Sequence, residues 1–436
     1  MKLSSAAKVL FLSLCLIIMV TGAVGAQDAA PSGDITFVFW DNTTETRAGW
    51  EAHVARFNEQ FPDIHVNLIG VPGAVWSDYL NGTATLIAGG EQPDIIWVAT
   101  EGVRFLVDLG LMMPLNDLVE QNAEEMPPYF DDTASTLLDG FRIDDSLYFL
   151  PYSWNNMVIY YNKNMFDAAG LDYPAADWTR DDFIAAATAL TADTDGDGVP
   201  NQYGFSGSGG PMFFTMPWVF ANGTDIVTDD FCAPNLLDPG VIDAVQFMHD
   251  MIYEYKFAPA PGTLTNTEIQ FINGEVAMFG AGRWPTGTFY REGFEDFDIQ
   301  LWPGNPEQTT EFGVDGFGIF QSSQNVPASW EFLKYMSSQD VQQGLVASVD
   351  SGSPLGNIPA SRTVAEGLSQ FPPANYGAFY GSLDGNVRPV TAPPRFNEME
   401  SIWIRYVDQV LADEMTVEDA MNAAQTELMS VISCSS

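Results

Sequence analysis

Asp193-Thr194-Asp195-Gly196-Asp197-Gly198-Val199-Pro200-Asn201 is the sharpest local constellation of chemically useful side chains in this chain. Oxygen donors fall at the first, third, fifth and ninth positions, with glycine at the sixth. That is the front of a calcium loop, with Asp193, Asp195, Asp197, the Val199 carbonyl and Asn201 as candidate ligands. The bidentate glutamate expected at the twelfth position is missing, and Gly204 stands there. The competing reading is a solvated acidic turn joining a helix to a strand. If the loop takes Ca²⁺, the ion is structural; no cofactor is required for function.

Aromatic residues supply a second signal. Trp40, Trp97, Trp154, Trp218, Trp284 and Trp403 each sit near a predicted element end, beside polar or glycine residues. Flat rings with fixed polar partners at the rim suit the C–H faces and hydroxyls of a sugar. Each tryptophan taken singly also fits a packed core. Catalytic signatures are absent: there is no GxSxG, HExxH, GxGxxG or P-loop. His53, His65 and His249 are scattered and read as packing or surface residues. Carboxylates are so abundant that spacing singles out no acid pair.

The elements that must position such residues begin beyond a leader-like segment. Lys2 and Lys8 precede an apolar run from Val9 to Val20, and small residues lead to Val24-Gly25-Ala26. This is the layout of a secretory signal cleaved near Ala26. The run is shorter than the roughly 20 residues of a spanning helix. Cys15 lies inside the run and reads as part of it. The expected product is exported, to the periplasm or the outer face of a prokaryotic cell. The 436-residue chain has 16 basic and 58 acidic residues and a net charge of −42. Such a field makes nucleic acid and anionic lipid poor partners. It reads as a solubility device for a salty or otherwise demanding exterior rather than as the mark of a specific cationic ligand. Two cysteines follow the leader, Cys232 and Cys434, and the sequence leaves their pairing open.

Asp34–Trp40 reads as a buried strand. In the helix expected over Gly49–Phe61, residues Trp50, Val54, Phe57 and Phe61 share one face. Strands at Ile64–Ile69 and Asp94–Val98 flank a helix over Asp78–Ala88. This alternation predicts an α/β domain with a largely parallel sheet. A second α/β stretch starts near Met157. It continues through a capped helix at Thr179, helices at Gly240–Tyr255 and Asn266–Asn273, and strands at Glu275–Phe279 and Gly313–Phe320. Helices close the chain at Pro327–Met336, Glu398–Leu411 and Thr416–Val431. The stretch from Gln370 to Pro394 reads as an ordered loop, because Tyr376, Phe379 and Tyr380 argue against a disordered linker.

Several stretches together resemble the extracellular solute-binding proteins of ABC importers, in the branch that includes the maltose binders. They include Ile35–Trp40, Phe57–Ile64 (FNEQFPDI), Gln92–Trp97 (QPDIIW), Leu109–Leu115 and Leu150–Tyr152 running into Ile159–Lys163. Asp195–Phe205, Phe271–Phe279 (FINGEVAMF), Gly282-Arg283-Trp284 and Gly316–Ile319 complete the set. The resemblance implies a two-lobed type II periplasmic-binding-protein fold, an α/β architecture of discontinuous lobes joined by a hinge. Lobe one would take 34–152 plus 312–350, and lobe two 156–303 plus 354–436. Crossings would fall near Pro151–Asn156, Pro303–Phe312 and Asp350–Pro354. By position, Trp40, Asp41 and Glu45 would line the cleft with Glu101, and Asn155 would sit at the hinge. Phe213, Phe214, Trp218, Arg283, Trp284 and Trp403 would face them. The implied partners are a small polar ligand, a sugar above all, and the importer's membrane subunits, with the binder acting as a monomer. Where maltose binders carry an acid at the hinge this chain has Asn155, and where they carry a tyrosine it has Phe213. Maltodextrin specificity therefore does not carry over.

A glycerol-phosphate ester, a polyol or a small osmolyte is the alternative ligand, and Arg283 suits an anionic group. A secreted carbohydrate-active enzyme is the rival of a different class. It needs two carboxylates at catalytic separation across a cleft.

Overall fold

The apolar run that follows Ser32 forms β1 (Gly33–Trp40), with Ile35, Phe37, Val38 and Phe39 fully buried. The structure, a computed structural model, describes residues 30–433 apart from 208, 265, 348–356, 384 and 386. The expected leader at 1–26, the crossing expected at 350–354 and Cys434 lie outside the described residues, as does the side chain of Glu45. Strand β1 pairs in parallel with β2 (Ile64–Val71) and with β3 (Ile95–Ala99). The connecting helix Thr44–Gln60 starts earlier than Gly49, because Thr43 caps it by accepting the Thr46 N–H. Its Trp50, Val54 and Phe57 pack into the core as their spacing requires.

The parallel pattern stops there. A small hairpin of β4 (Arg142–Ile143) and β5 (Ser146–Leu147) leads into β6 (Phe149–Asn156). Strands β7 (Val158–Asn162), β8 (Met278–Ala281) and β9 (Phe297–Leu301) form a separate antiparallel sheet with β7 central. Strand β10 (Thr310–Ile319) returns to the large sheet between β3 and β6, antiparallel to both. The short strands β11 (Ile358–Pro359) and β12 (Val387–Pro389) pair with β6 and β10. The large sheet therefore runs β11-β6-β10-β3-β1-β2, with β12 beside β10. The expectation of a largely parallel sheet holds for β1, β2 and β3 and for the short β12 on β10, while β6, β10 and β11 pair antiparallel. Local pattern cannot show that β10 inserts beside β3, because Asp315 pairs with Ala99 across about half the length of the chain.

The backbone passes from the large sheet to the small one at Met157, whose N–H donates to the Glu311 carbonyl at 2.9 Å. It passes back between Leu301 and Thr310. Helix Phe396–Leu411 packs on Val417–Leu428 and touches helices beside both sheets, Trp76–Ala88 on one side and Pro239–Tyr253 on the other. The described part of the stretch 370–394 includes helix Gly377–Leu383, with Tyr376 and Phe379 buried. The cap expected at Thr179 is a full box: Thr179 accepts the Asp182 N–H, and the Asp182 carboxylate accepts the Thr179 N–H.

Candidate functional site

The two passages between the sheets leave a cleft of about 360 Å³ where β1, β3 and β10 face the end of β8. Trp40, Trp76 and Trp97 wall it on the large-sheet side. Ring centroids are 4.6 Å apart for Trp40 and Trp76, and 5.7 Å for Trp76 and Trp97. Trp40 is fixed by its indole N–H, which donates to the Gly73 carbonyl at 2.8 Å. Phe213 and Trp284 wall the opposite side, edge to face at 5.5 Å. Trp284 can lie there because residue 282 is glycine: a Cβ at Gly282 would sit 2.2 Å from its ring. Trp284 also borders an adjacent cavity of about 630 Å³, together with Phe214.

A hydrogen-bond network runs beneath the cleft. The Arg283 N–H donates to Asn155 Oδ1 at 2.8 Å, and Asn155 Nδ2 donates to Asn357 Oδ1 at 2.8 Å. Asn357 Nδ2 donates to Asp315 Oδ2 at 3.1 Å, and Trp97 Nε1 donates to Asp315 Oδ1 at 2.9 Å. The Ser153 hydroxyl donates to the same carboxylate at 2.7 Å. One chain of bonds thus ties the Trp284 side to the Trp97 side through the strand that crosses between them.

The floor is acidic. Strand alternation turns Glu311, Gly313 and Asp315 of β10 toward the cleft, and Glu101 joins them from the first turn of helix Thr100–Asp108. Burial pushes the Glu101 carboxyl up to about 8, with Glu400 and Asp315 adding repulsion. Burial likewise raises Asp315 to about 7 against the hydrogen bonds of Ser153, Trp97 and Asn357. Glu311 lies well above the usual carboxylate range through burial, then through Glu101, Asp225 and Glu400.

Of the residues expected to form the site, the structure brings Trp40, Glu101, Asn155, Phe213 and Trp284 to one cleft. Phe214 lines the adjacent cavity instead. Asp41 is drawn aside into an ion pair with Arg47. Arg283 does not line the cleft; it is buried behind Asn155, with Nη1 3.5 Å from the Asn357 carbonyl. Two expectations are corrected. Trp218 is core, packed against Phe183, Phe205, Phe247 and Trp302. Trp403 is also core, fully buried, with its indole N–H donated to Thr215. Both project from helices into helix–helix packing, where a large apolar ring is worth most. Sequence reasoning passed over Trp76, Glu311, Asp315 and Asn357. The alternation of Glu311, Gly313 and Asp315 within an otherwise apolar strand was the available signal.

Away from the cleft, oxygens of Asp193, Asp195 and Asp197 lie within 4.8 Å of one another on an exposed loop. The Gly196 and Gly198 N–H groups donate to Asp193 and hold its carboxyl below the usual range. Asn201 Oδ1 is occupied by the Thr194 N–H and hydroxyl. The Val199 N–H donates to Asp197. No side chain fits at Gly204, because a Cβ there would meet the Ala187 carbonyl at 1.9 Å. Cys232 is disulfide-bonded.

A lined cleft between two sheets, with aromatic walls and a polar hinge, defines a two-lobed binding protein. The chain matches the family of bacterial extracellular solute-binding proteins over residues 40–343 and belongs to it. A binding protein of Brucella abortus is 24% identical over 412 residues, spanning 90% of this chain and 94% of that one. The arabinooligosaccharide-binding protein of Halalkalibacterium halodurans is 26% identical over 271 residues, 59% of this chain and 56% of that one. Among solved structures, the ABC substrate-binding protein of Listeria monocytogenes in complex with cycloalternan superposes with a TM-score of 0.79 at 24% identity, covering 92% of this chain and 99% of that one. Maltose-bound MalE3 of T. maritima superposes at 0.76 with 18% identity, covering 92% and 100%. These likenesses carry the two-lobed α/β fold.

Proposed function

We propose that this solute-binding protein captures a sugar or oligosaccharide in the cleft and delivers it to the membrane permease of an ABC importer. The observation that carries this reading is the pair of facing aromatic walls, Trp40, Trp76 and Trp97 opposite Phe213 and Trp284. Rings on both sides of a hinge let a saccharide be stacked from both faces as the lobes close. Ligand that touches both lobes favours the closed state by its differential affinity for it. The saccharides named for the arabinooligosaccharide, cycloalternan and maltose binders support the ligand class. The protein acts without turnover, as an exported monomer whose leader is removed near Ala26. A thermal-shift screen of the protein lacking residues 1–26 tests the reading. A saccharide at a hundred times its Kd stabilises by about 2.7 kcal/mol and raises Tm. Stabilisation by phosphate esters alone, or hydrolysis of a glycoside, contradicts the reading.

The acidic loop is proposed to hold a structural Ca²⁺ through Asp193, Asp195 and Asp197, whose hard oxygen donors suit that ion. Asn201 would contribute only by releasing Thr194. Tm should fall in EDTA and recover with Ca²⁺ in the native protein, but not in Asp195→Asn. Indifference of the native protein to both removes the ion from the account.

A further inference from the structure

We infer that the solute taken by the cleft is an aminated saccharide, its ammonium group seated between Glu101 and Glu311. The inference rests on the sugar-binding reading above and narrows it. Both carboxylates line the cleft, and the two residues are only 7% and 4% exposed. Each has its Oε2 buried with no hydrogen-bond partner. They arrive from different elements, one from a helix start and one from β10. Gly313, two residues on from Glu311 in β10, lies beside Glu101: a Cβ there would stand 4.0 Å from both Glu101 carboxylate oxygens.

Asp315 shows what a satisfied acid at the same floor looks like. Its oxygens accept from Trp97, Ser153 and Asn357, so it holds the hinge network and has little left to offer. Oε2 of Glu101 and Oε2 of Glu311 meet no such donor, although the Glu101 backbone N–H acts on its own carboxylate, and no basic group is among the main charges acting on either acid. The charges that act on Glu311 are Glu101, Asp225 and Glu400, and those on Glu101 are Glu400 and Asp315. Arg104, three residues on from Glu101 in the same helix, lies over the Phe231 ring, and Arg388 is the register partner of Glu311 across β10 and β12. Arg47 pairs with Asp41, and Arg388 lies over the Phe220 ring and donates to the Thr224 carbonyl. Arg283 acts on the phenols of Tyr160, Tyr290, Tyr376 and Tyr380.

A buried acid without a partner is costly, and evolution retains it where something supplies the partner. A bare metal ion does not fit. Among the described residues, the only group of three carboxylates with oxygens converging within 4.8 Å is the exposed 193, 195 and 197 loop. A sugar hydroxyl offers one donor and no charge. An ammonium group offers three donors and a positive charge that favours the ionised form of acids which burial otherwise holds protonated. Trp40, Trp76 and Trp97 line the same space, and indole rings there favour a cation again.

The test is calorimetric titration of the protein lacking residues 1–26 with glucosamine oligomers, their N-acetylated counterparts, and neutral glucose oligomers of equal length at pH 7. The inference expects the aminated series to bind at least about tenfold tighter than either other series. Glu101→Gln and Glu311→Gln should each remove about tenfold of that preference. Should a variant fail to fold, the three-series comparison on the unaltered sequence decides. Neutral or N-acetylated oligomers binding as tightly as aminated ones overturn the inference and leave the sugar reading standing. Binding of no saccharide, whether or not choline or putrescine binds, overturns both.

Discussion

Individual side chains set the chemistry, and the carboxyls under the cleft dominate it. Burial pushes Glu101, Asp315 and Glu400 up to about 8, 7 and 7, from ordinary values of 4.5, 3.8 and 4.5. A folded-state value above the unfolded one means the native protein holds protons the unfolded chain has released. These groups therefore contribute full stability below about pH 4, and lose it progressively as pH rises toward about 8. The Tm of the empty protein should fall across that window, and Glu101→Gln should flatten the slope. A Tm that rises from pH 5 to 8, or a slope untouched by the substitution, contradicts the burial argument. The sequence disclosed Trp40, Asn155, Phe213 and Trp284 through resemblance, and Glu101 with them. It could not disclose Glu311, because 58 acidic residues leave no single one conspicuous until a strand aims it inward.

At the scale of elements, periodicity was readable wherever an element buries one face. Trp50, Val54 and Phe57 lie inward as their spacing demands, and Thr179 caps its helix. Placement of whole elements was harder to read. Trp218 and Trp403 resemble platform tryptophans in sequence, yet both sit where helices cross. A ring on a helix faces the core or the cleft according to tertiary packing, which local sequence does not encode. Strand β6 and its pairing with β10 were likewise invisible, because they join residues as far apart as Trp154 and Val314. Trp403→Ala should destabilise the protein by about 3–5 kcal/mol, measured by denaturant unfolding, through the cavity it leaves. A loss below about 1 kcal/mol with abolished ligand binding would return Trp403 to the cleft.

For the molecule as a whole, two sheets joined by a few crossing strands permit relative motion, and the ligand supplies the bias that closes them. The network from Arg283 through Asn155 and Asn357 to Asp315 and Trp97 is the physical link between the two sides. The two-lobed architecture was legible because its motifs span most of the chain. The ligand was not, since specificity lies in a few buried atoms. The most direct test of cleft capture is calorimetric titration of the tightest saccharide into the native protein and into a Trp40→Ala, Trp284→Ala double variant, with the fold checked by circular dichroism. The account predicts one ligand per native chain and at least about a hundredfold weaker binding by the folded variant, as expected when stacking contacts on both walls are lost. Undiminished binding by a folded variant would contradict it.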